Sequence, residues 1–445
     1  MAPESESTVN IWLALRYWLK LGFISFGGPA GQISMMHHEL VEKRRWISER
    51  RFLHALNYTM VLPGPEAQQL ATYIGWLMHG VAGGIVAGML FVLPSLLILI
   101  GLTWIYMAYG DMTVAAGVLY GIKPAVTAIV VFAAFRIGSR ALKNNTLKIL
   151  AVLAFLAIFV FHVHFPYIVL MAGIIGFVGS YYAPDKFKMG DHHGVKQADY
   201  GPALIDDDTP IPPHARFKLS RALTYACLGI LIGCGVMAML YILFGWEGTL
   251  TKMGWFFTKA ALLTFGGAYA VLPYVYQGGV EQYGWLNGPQ MIDGLALGET
   301  TPGPLIMIVA FVGFVGSWTK EIFGSEHLPL AGIAGSCIAT LFTFLPSFIF
   351  ILVGGPLVEA TRHEIKFTAP LTGITAAVVG VVINLAVFFA YHVLWPQGFS
   401  GTFDWFSALI GIAAFIALIK YKLGIVLVIA SCAVVGLIYF MVMRF

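Results

Sequence analysis

This chain repeats itself. Lys20, Phe26-Gly27-Gly28, Glu42, Trp46 and Pro63-Gly64-Pro65 recur 239 positions later as Lys259, Phe265-Gly266-Gly267, Glu281, Trp285 and Pro302-Gly303-Pro304. A looser match at an offset of 252 pairs Leu93-Pro94-Ser95 with Leu345-Pro346-Ser347, and Gly121-Ile122 with Gly373-Ile374. Whatever the chain folds into is therefore built from two copies of one unit. The repeated residues are mostly helix breakers set in apolar sequence, the pattern of a membrane carrier with its site between the halves.

Composition narrows the choice further. Of the 445 residues, 59% are hydrophobic and 11% charged, with a mean hydropathy of +0.82. An ordinary soluble protein carries about 25% charged residues. The formal net charge of +4 gives no reason to expect a nucleic-acid partner. Cys227, Cys234, Cys337 and Cys432 all sit in apolar stretches without metal-like spacing and read as buried, inert thiols. Met1 to Asn10 is polar and acidic, and no small-residue cleavage site comes after it. The first apolar segment is accordingly expected to belong to the mature fold.

Apolar segments able to span about 30 Å run at 85–110, 113–137, 147–163 with 166–182, 222–245, 330–355, 371–395, 404–420 and 423–444. Four more, 11–36, 52–79, 254–276 and 290–318, are broken, and each contains one of the repeated Gly/Pro motifs. The hydrophilic stretch 184–221 contains Asp206-Asp207-Asp208, Pro210, Pro212 and Pro213 and reads as a mobile linker. The expected organisation is a first repeat over 1–183, this linker on the cytoplasmic side, and a second repeat over 222–445.

Charge orients the halves. Lys43, Arg44, Arg45, Arg50 and Arg51 come after the first Phe-Gly-Gly motif, whereas the matching loop 276–293 has no Lys or Arg. Arg140, Lys143 and Lys148 come after the Gly121 segment, whereas 396–404 again has none. Basic loops favour the cytoplasm, so matching loops face opposite sides and the repeats are expected to be inverted. Both basic loops of the first half are cytoplasmic only if the Pro63-Gly64-Pro65 segment enters and leaves on one side. Segment 222–245 then crosses outward and inverts the remainder of the chain, which puts the Arg362/Lys366 loop and Lys420/Lys422 in the cytoplasm. The expected fold class is an all-α integral membrane protein with broken or re-entrant helices.

Proline lacks an N–H and clashes with the preceding turn, so Pro-Gly-Pro ends one helix and starts another. Backbone groups freed inside a bilayer must be received by protein or by a water-filled cavity. Each break also begins a half-helix whose N–H groups and positive dipole end suit an anion. Phe-Gly-Gly breaks its segment similarly and lets backbone approach a ligand. Kinks for tight packing would use the same residues. Two different motifs recurring at one spacing in both halves favour a site.

The strings Phe26-Gly27-Gly28-Pro29, the run 62–76 (LPGPEAQQLATYIGW) and Gly298-Glu299-Thr300-Thr301-Pro302-Gly303-Pro304 resemble the chromate ion transporter family in its long, two-domain form. The resemblance covers nearly the whole chain. It implies a bacterial inner-membrane protein that exports chromate and confers resistance to it, with sulfate, another tetrahedral dianion, as chemical competitor. One departure is Ala268 where the first motif has Pro29, so the two half-sites are not equivalent.

Ionisable residues inside membrane segments are costly and invite a functional reading. Glu66 stands directly after the first Pro-Gly-Pro and either caps the half-helix or carries a proton. Glu299 precedes the second break, at the helix end that disfavours an anion, and is the second proton-coupling candidate. Lys20 and Lys259 either line the approach or snorkel to the interface. Lys123, just before Pro124, is a candidate site cation, whereas Arg136 reads as an interface anchor. Gln68, Gln69, Thr300 and Thr301 flank the breaks as possible donors to oxyanion oxygens. His162 and His164 are spaced like ligands on a strand but have no partner carboxylate or Cys. His37-His38 and His192-His193 fall in expected loops, and no metal site is expected.

No Walker-type phosphate loop is present, so drive by ATP within this chain is not expected. No flavin, haem or Fe–S motif appears, and no cofactor is expected. The leading expectation is a secondary active oxyanion transporter working by alternating access, coupled to protons or to sulfate exchange. A passive anion channel, an exchanger of another oxyanion and a membrane-embedded lipid-phosphate enzyme are the alternatives. The last lacks the nucleophile beside a phosphate-gripping Arg that its chemistry needs. Besides the bilayer, a second copy in a homodimer is left open as a partner.

Overall fold

A computed structural model describes residues 9–26, 28–110, 113–187, 200–210, 212–265, 267–360 and 368–442. Among these, the regular elements are helices, and the one β-bridge joins Ile47 to Ile205. The first half comprises α1 (Ile11–Ile24), α2 (Gly28–His37), α3 (Glu49–Val61), α4 (Glu66–Tyr109), α5 (Thr113–Ala141), α6 (Asn145–Phe159), α7 (Phe165–Tyr182) and the short α8 (Pro184–Phe187). The rest comprises α9 (Leu219–Phe244), α10 (Thr249–Leu263), α11 (Ala268–Tyr276), α12 (Gly288–Thr300), α13 (Ile308–Thr319), α14 (Leu328–Ala360), α15 (Thr368–Leu394), α16 (Trp405–Ile419) and α17 (Ile425–Val442). Seven helices (α4, α5, α7, α9, α14, α15 and α17) are long and apolar enough to cross a membrane. The protein is an all-α, multi-pass membrane protein.

Equivalent elements keep their register. α3 and α12 match at 239, as do two π-helical turns, His38–Lys43 and Gln277–Gln282. Backbone bonds repeat as well, Trp46 N–H to Leu40 (2.9 Å) and Trp285 N–H to Gly279 (2.7 Å). The offset grows to 252 because the second half has a longer turn, 320–327, and longer helix ends on either side of it, where the first has only His79 and Gly80. It grows again before α16, where the loop 395–404 replaces the short link before α6. His37 and His38, expected in a loop, instead end α2 and open the first π-turn.

The long helix α4 is really a hairpin. His79 (φ −132°, ψ 21°) and Gly80 (φ +67°, ψ −158°) leave helical geometry and split it into arms 66–78 and 81–109. Gly75 then faces Ala87 and Thr72 faces Gly88, an antiparallel pairing. α13 and α14 pair likewise, with Gly313 against Gly335.

Residues 200–210 and 212–218, expected to belong to a free linker, lie against the first half. Ser48 N–H donates to Ile205 C=O (3.0 Å), and Ile205 N–H donates to Trp46 C=O (3.1 Å). Ser48 Oγ donates to Asp207 (2.7 Å), Arg51 Nη2 to the Thr209 carbonyl (2.5 Å), and His214 Nε2 lies 3.0 Å from the Trp76 carbonyl. Buried Ile205 and Ala215 explain why a polar segment docks at all: it carries its own apolar anchors. This strap also fixes the path of the chain below it. From Thr209 to His214 it reaches at most about 18 Å, yet it touches both the start of α3 and the end of the 66–78 arm. Two 13-residue helices laid end to end would span about 40 Å. The chain must therefore enter along α3, turn at Pro63-Gly64-Pro65 and return along the arm.

The two sequence halves are intertwined, not side by side. A Cβ on Gly121 of α5 would lie 2.0 Å from the Cys432 carbonyl and 2.8 Å from Gly436 Cα, both in α17. A Cβ on Gly373 of α15 would lie 2.4 Å from the Ala172 carbonyl and 3.1 Å from Gly176 Cα, both in α7. Each half thus inserts its central helix between helices of the other, and the main hydrophobic core draws on both. α9 lies at the edge of this core, contributing Leu240 to it while Leu228, Leu231, Ile242 and Leu243 are exposed, as suits a lipid-facing crossing. The loop with Arg362 and Lys366, and His192-His193, lie outside the described residues.

Candidate functional site

Four helix breaks meet in two pairs, and they meet crosswise. α1 ends when Phe26 N–H turns back to the Ile24 carbonyl (2.9 Å), and α10 ends when Phe265 N–H turns back to Leu263 (3.1 Å). This leaves the carbonyls of Ser25 and Thr264 without helical partners. Gly303 N–H donates to Ser25 C=O at 2.8 Å, and Gly64 N–H donates to Thr264 C=O at 2.8 Å. Each Pro-Gly-Pro break of one half is thereby bonded to the Phe-Gly-Gly break of the other.

The Leu-Pro-Ser segments complete the exchange. A Cβ on Gly64 would lie 2.4 Å from Ser347 Oγ, and one on Gly303 would lie 2.6 Å from Ser95 Cβ. Both glycines have positive φ (+126° and +110°), a conformation open to glycine and strained for other residues. Buried amides brace each junction. Gln32 Nε2 donates to Gly303 C=O (2.6 Å) and Ser25 C=O (3.3 Å). Gln69 Nε2 donates to Pro63 C=O (2.8 Å) and Ser347 Oγ (3.3 Å). Gln32 Oε1, Gln69 Oε1 and Ser95 Oγ are buried without a partner among the described residues. Polar atoms left open in a protein interior are uncommon and need an account.

The helices that restart at the breaks have bare N-termini. α4, α11 and the 3₁₀ turn Leu305–Met307 start at Pro65, Gly267 and Pro304, none with a side-chain cap. Where α1, α3, α6, α12 and α16 start, Asn10, Ser48, Asn144, Asn287 and Asp404 do supply caps. α7, α9 and α10 also start without a side-chain cap, so what marks the breaks is that uncapped N-termini of both halves stand beside one another there. Gly28 (φ +71°) and Gly267 (φ +98°) border open space. Phe26 is exposed and Phe265 partly buried, whereas Pro65, Pro302 and Pro304 are buried and Pro63 partly so. Gly27 and Gly266 lie outside the described residues.

Other candidates sit elsewhere or face another way. Glu66, at the start of α4, is partly accessible and has no hydrogen-bond or ion-pair partner among the described residues. Glu299 is 7% exposed and accepts from Tyr269 OH at 2.5 Å. Gln68 Nε2 donates to Thr72 Oγ1 (3.0 Å) within its own helix. Thr300 and Thr301 hydroxyls donate to the carbonyls of Ala296, Leu297 and Gly298, each at 3.0 Å. Lys20 shares an exposed stripe of α1 with Leu13, Phe23 and Ile24, and Lys259 lies over the Trp255 ring (5.5 Å). Both placements match the snorkelling alternative. Lys123 is away from the breaks and pairs with Asp293 at 3.6 Å.

Several residues at the breaks carry no signal in their spacing. Ser25 and Thr264 are small hydroxyl residues at matched positions, and their partnership is made by backbone, which leaves no side-chain signature. Gln32 has Val271 at its repeat position, so repetition could not flag it. Asp293 is legible as a carboxylate inside an apolar segment, the same signal that marks Glu299.

The family model described as "Chromate transporter" matches residues 12–177 and 251–437. This chain belongs to the chromate transporter family. The two matched stretches of this family bracket the strap and α9. The chain is 28% identical over 437 residues to a chromate transport protein of Cupriavidus metallidurans, covering 98% of this chain and 94% of that one. It is 32% identical over 428 residues to a chromate transport protein of Pseudomonas aeruginosa, covering 95% and 91%. A probable chromate transport protein of Synechococcus elongatus is 28% identical over 426 residues, covering 95% and 94%. No solved structure matches the chain.

Proposed function

We infer that this family member is a secondary active transporter, not an enzyme, that moves chromate outward across a bacterial inner membrane. The observation that carries the reading is the crosswise bonding of the breaks, Gly64 to Thr264 and Gly303 to Ser25. It sets uncapped helix N-termini of both halves beside one another at the paired breaks, where a tetrahedral dianion would find N–H donors and positive dipole ends without a fixed lysine. A site made of dipoles holds an anion without the tight ion pair that would slow release.

Alternating access between inverted halves suits a site whose walls come equally from each. Glu66 and Glu299 flank the two breaks and are the groups assigned to proton coupling. Exchange against sulfate is the second coupling scheme, since sulfate shares the shape and charge of chromate. The substrate contacts are assigned to Phe26, Gly64, Gln69, Phe265, Gly303 and the glycines and prolines beside them.

The test is chromate uptake into inverted membrane vesicles, with and without a proton gradient and with sulfate as competitor. Gradient-dependent accumulation is expected. A well-inserted protein that accumulates no chromate under either condition overturns the substrate assignment.

A further inference from the structure

Away from the breaks, a cavity of about 600 Å³ opens between α4, α5, α12, α15 and the loop before α16. Its lining includes Tyr106, Tyr120, Lys123, Asp293, His392 and Asp404. Gly110, Asn287 and Pro396, which also line it, stand at or just beyond the ends of α4, α12 and α15. Asp293 lies on α12, the helix that ends at the second Pro-Gly-Pro. Eight residues of helix, about 12 Å, separate it from Thr301. Lys123 and Asp293 thus stand between the cavity and the breaks.

Stability does not explain this pair. Asp293 is 3% exposed; one oxygen accepts from Tyr106 OH (3.0 Å) and faces Lys123 Nζ (3.6 Å), while Oδ1 has no partner among the described residues. Removing two charges from water costs as much as their attraction returns unless every lone pair is met. The repeat supplies an internal control. At the matching place in the other half, His54 stands for Asp293 and Thr375 for Lys123, and His54 Nε2 lies 3.3 Å from the Val358 carbonyl. Neither charge of the pair is repeated there, and the buried carboxylate at that end, Glu359, accepts from Tyr73 OH (2.5 Å).

Charge says what the pair does. Lys123 is the one Lys or Arg lining the cavity among the described residues, against the carboxylates of Asp293 and Asp404. Asp404 is held by Tyr120 OH (2.7 Å) and Ser407 Oγ (2.8 Å) and stays on the wall. With Lys123 paired to Asp293, the lining is net negative and repels a dianion from outside. A dianion arriving from the breaks meets a lysine whose present partner is a single, incompletely bonded carboxylate.

We propose that Lys123 and Asp293 form an exit valve, in which a departing oxyanion takes Lys123 from Asp293 and the carboxylate then reclaims the lysine and expels the anion into the cavity. This rests on the reading of the protein as an oxyanion exporter. It makes Lys123 a transient anion site and Asp293 an intramolecular competitor for it.

The experiment compares wild type, Lys123→Gln, Asp293→Asn and the double variant, full length in lipid nanodiscs. Chromate and, separately, sulfate binding are measured by equilibrium dialysis, and chromate counterflow in proteoliposomes. Asp293→Asn is expected to tighten binding about tenfold, as removal of a charged competitor would, and to slow counterflow. Lys123→Gln is expected to weaken binding about as much, with the double variant resembling it. Asp293→Asn weakening binding in step with Lys123→Gln would make the pair a structural brace and overturn the valve. If Asp293→Asn does not fold, Lys123→Arg decides: binding kept near wild type supports the valve, and loss equal to Lys123→Gln overturns it. Wild-type protein that moves no chromate, while the variants diverge as expected in sulfate binding, overturns the chromate reading and supports the valve.

Discussion

The amide of Gly64 donates to the carbonyl of Thr264 at 2.8 Å, tying a break in one half of the chain to a break in the other. That bond exists because Gly64 holds φ at +126° with its missing Cβ directed at Ser347 Oγ. Gly64→Ala should therefore lose stability twice, through left-handed strain of about 1–2 kcal/mol and through overpacking of about 1–3 kcal/mol. Adding Ser347→Gly should restore part of the packing loss, because Gln69 Nε2 also lies 2.6 Å from the added Cβ, and should leave the strain. Thermal unfolding in detergent checks this; a double variant no more stable than Gly64→Ala alone would mean that Ser347 is not the obstacle. Gly303→Ala should behave similarly, with Ser95 in the place of Ser347.

The two intramembrane glutamates should separate on substitution. Glu66 has no partner among the described residues, so Glu66→Gln should leave folding intact and abolish the part of chromate accumulation that depends on the proton gradient. Glu299 accepts from Tyr269 OH at 2.5 Å, and Glu299→Gln keeps an acceptor for that bond. Tyr269→Phe removes the donor and should cost about 1–3 kcal/mol by leaving a buried carboxyl under-satisfied. Vesicle uptake at fixed membrane potential with varied pH difference measures the first effect. Unchanged gradient dependence in both Gln variants would take the coupling role away from these two glutamates.

The strap should respond to acid. Asp206 accepts backbone N–H bonds from Ala203 (3.0 Å) and Asp207 (2.8 Å), and these hold its carboxyl below the ordinary value of 3.8. A depressed value in the folded state means the contribution is present above 3.8 and is lost as pH falls through the depressed value. Hydrogen exchange at Leu204 and Ile205, whose amides bond to Arg45 and Trp46, should show protection that is flat through neutral pH and fails only in strong acid. Asp206→Asn should reduce that protection at neutral pH. Equal protection in the variant would show that Ile205 and Ala215 alone hold the strap.

Much of this architecture was legible in the sequence, and the limits have physical causes. The breaks announced themselves because Gly and Pro disrupt helices by steric necessity, and their matched spacing gave the repeat. The same spacing could not say that partners are exchanged between halves, since a repeat describes each unit and not which unit it touches. The bonds that join the breaks are made by backbone atoms of Gly64, Thr264, Gly303 and Ser25, which any residue possesses. The strap reads as a free linker because Asp206, Asp207, Asp208 and the prolines dominate its composition, while docking depends on Ile205 and Ala215. Lys20 and Lys259 repeat faithfully, yet repetition reports a shared position on the helix and not a direction toward the site. Asp293 lay in view as an intramembrane carboxylate, but its partner Lys123 is distant in sequence, and neither charge has a charged repeat counterpart.

Exchange of helices also sets what the halves can do alone. α5 packs into α17 at Gly121 and Gly436, and α15 packs into α7 at Gly373 and Gly176, so each half closes its core with a helix of the other. Expressed separately, 1–218, which keeps the strap, would leave α5 without the surface it fits, and 219–445 would leave α15 in the same state. Neither should give a monodisperse, cooperatively melting species. Co-expressed, they should associate and recover the melting behaviour of the intact chain, because the junctions at Gly64 and Gly303 need no covalent link between halves. Gly373→Val should block this assembly, since its added atoms would enter the space of the Ala172 carbonyl. Fluorescence-detected size exclusion of tagged halves reads the outcome. A first half that melts alone as it does in the intact chain would show that the exchanged contacts are dispensable, and that 1–218 is a self-sufficient domain.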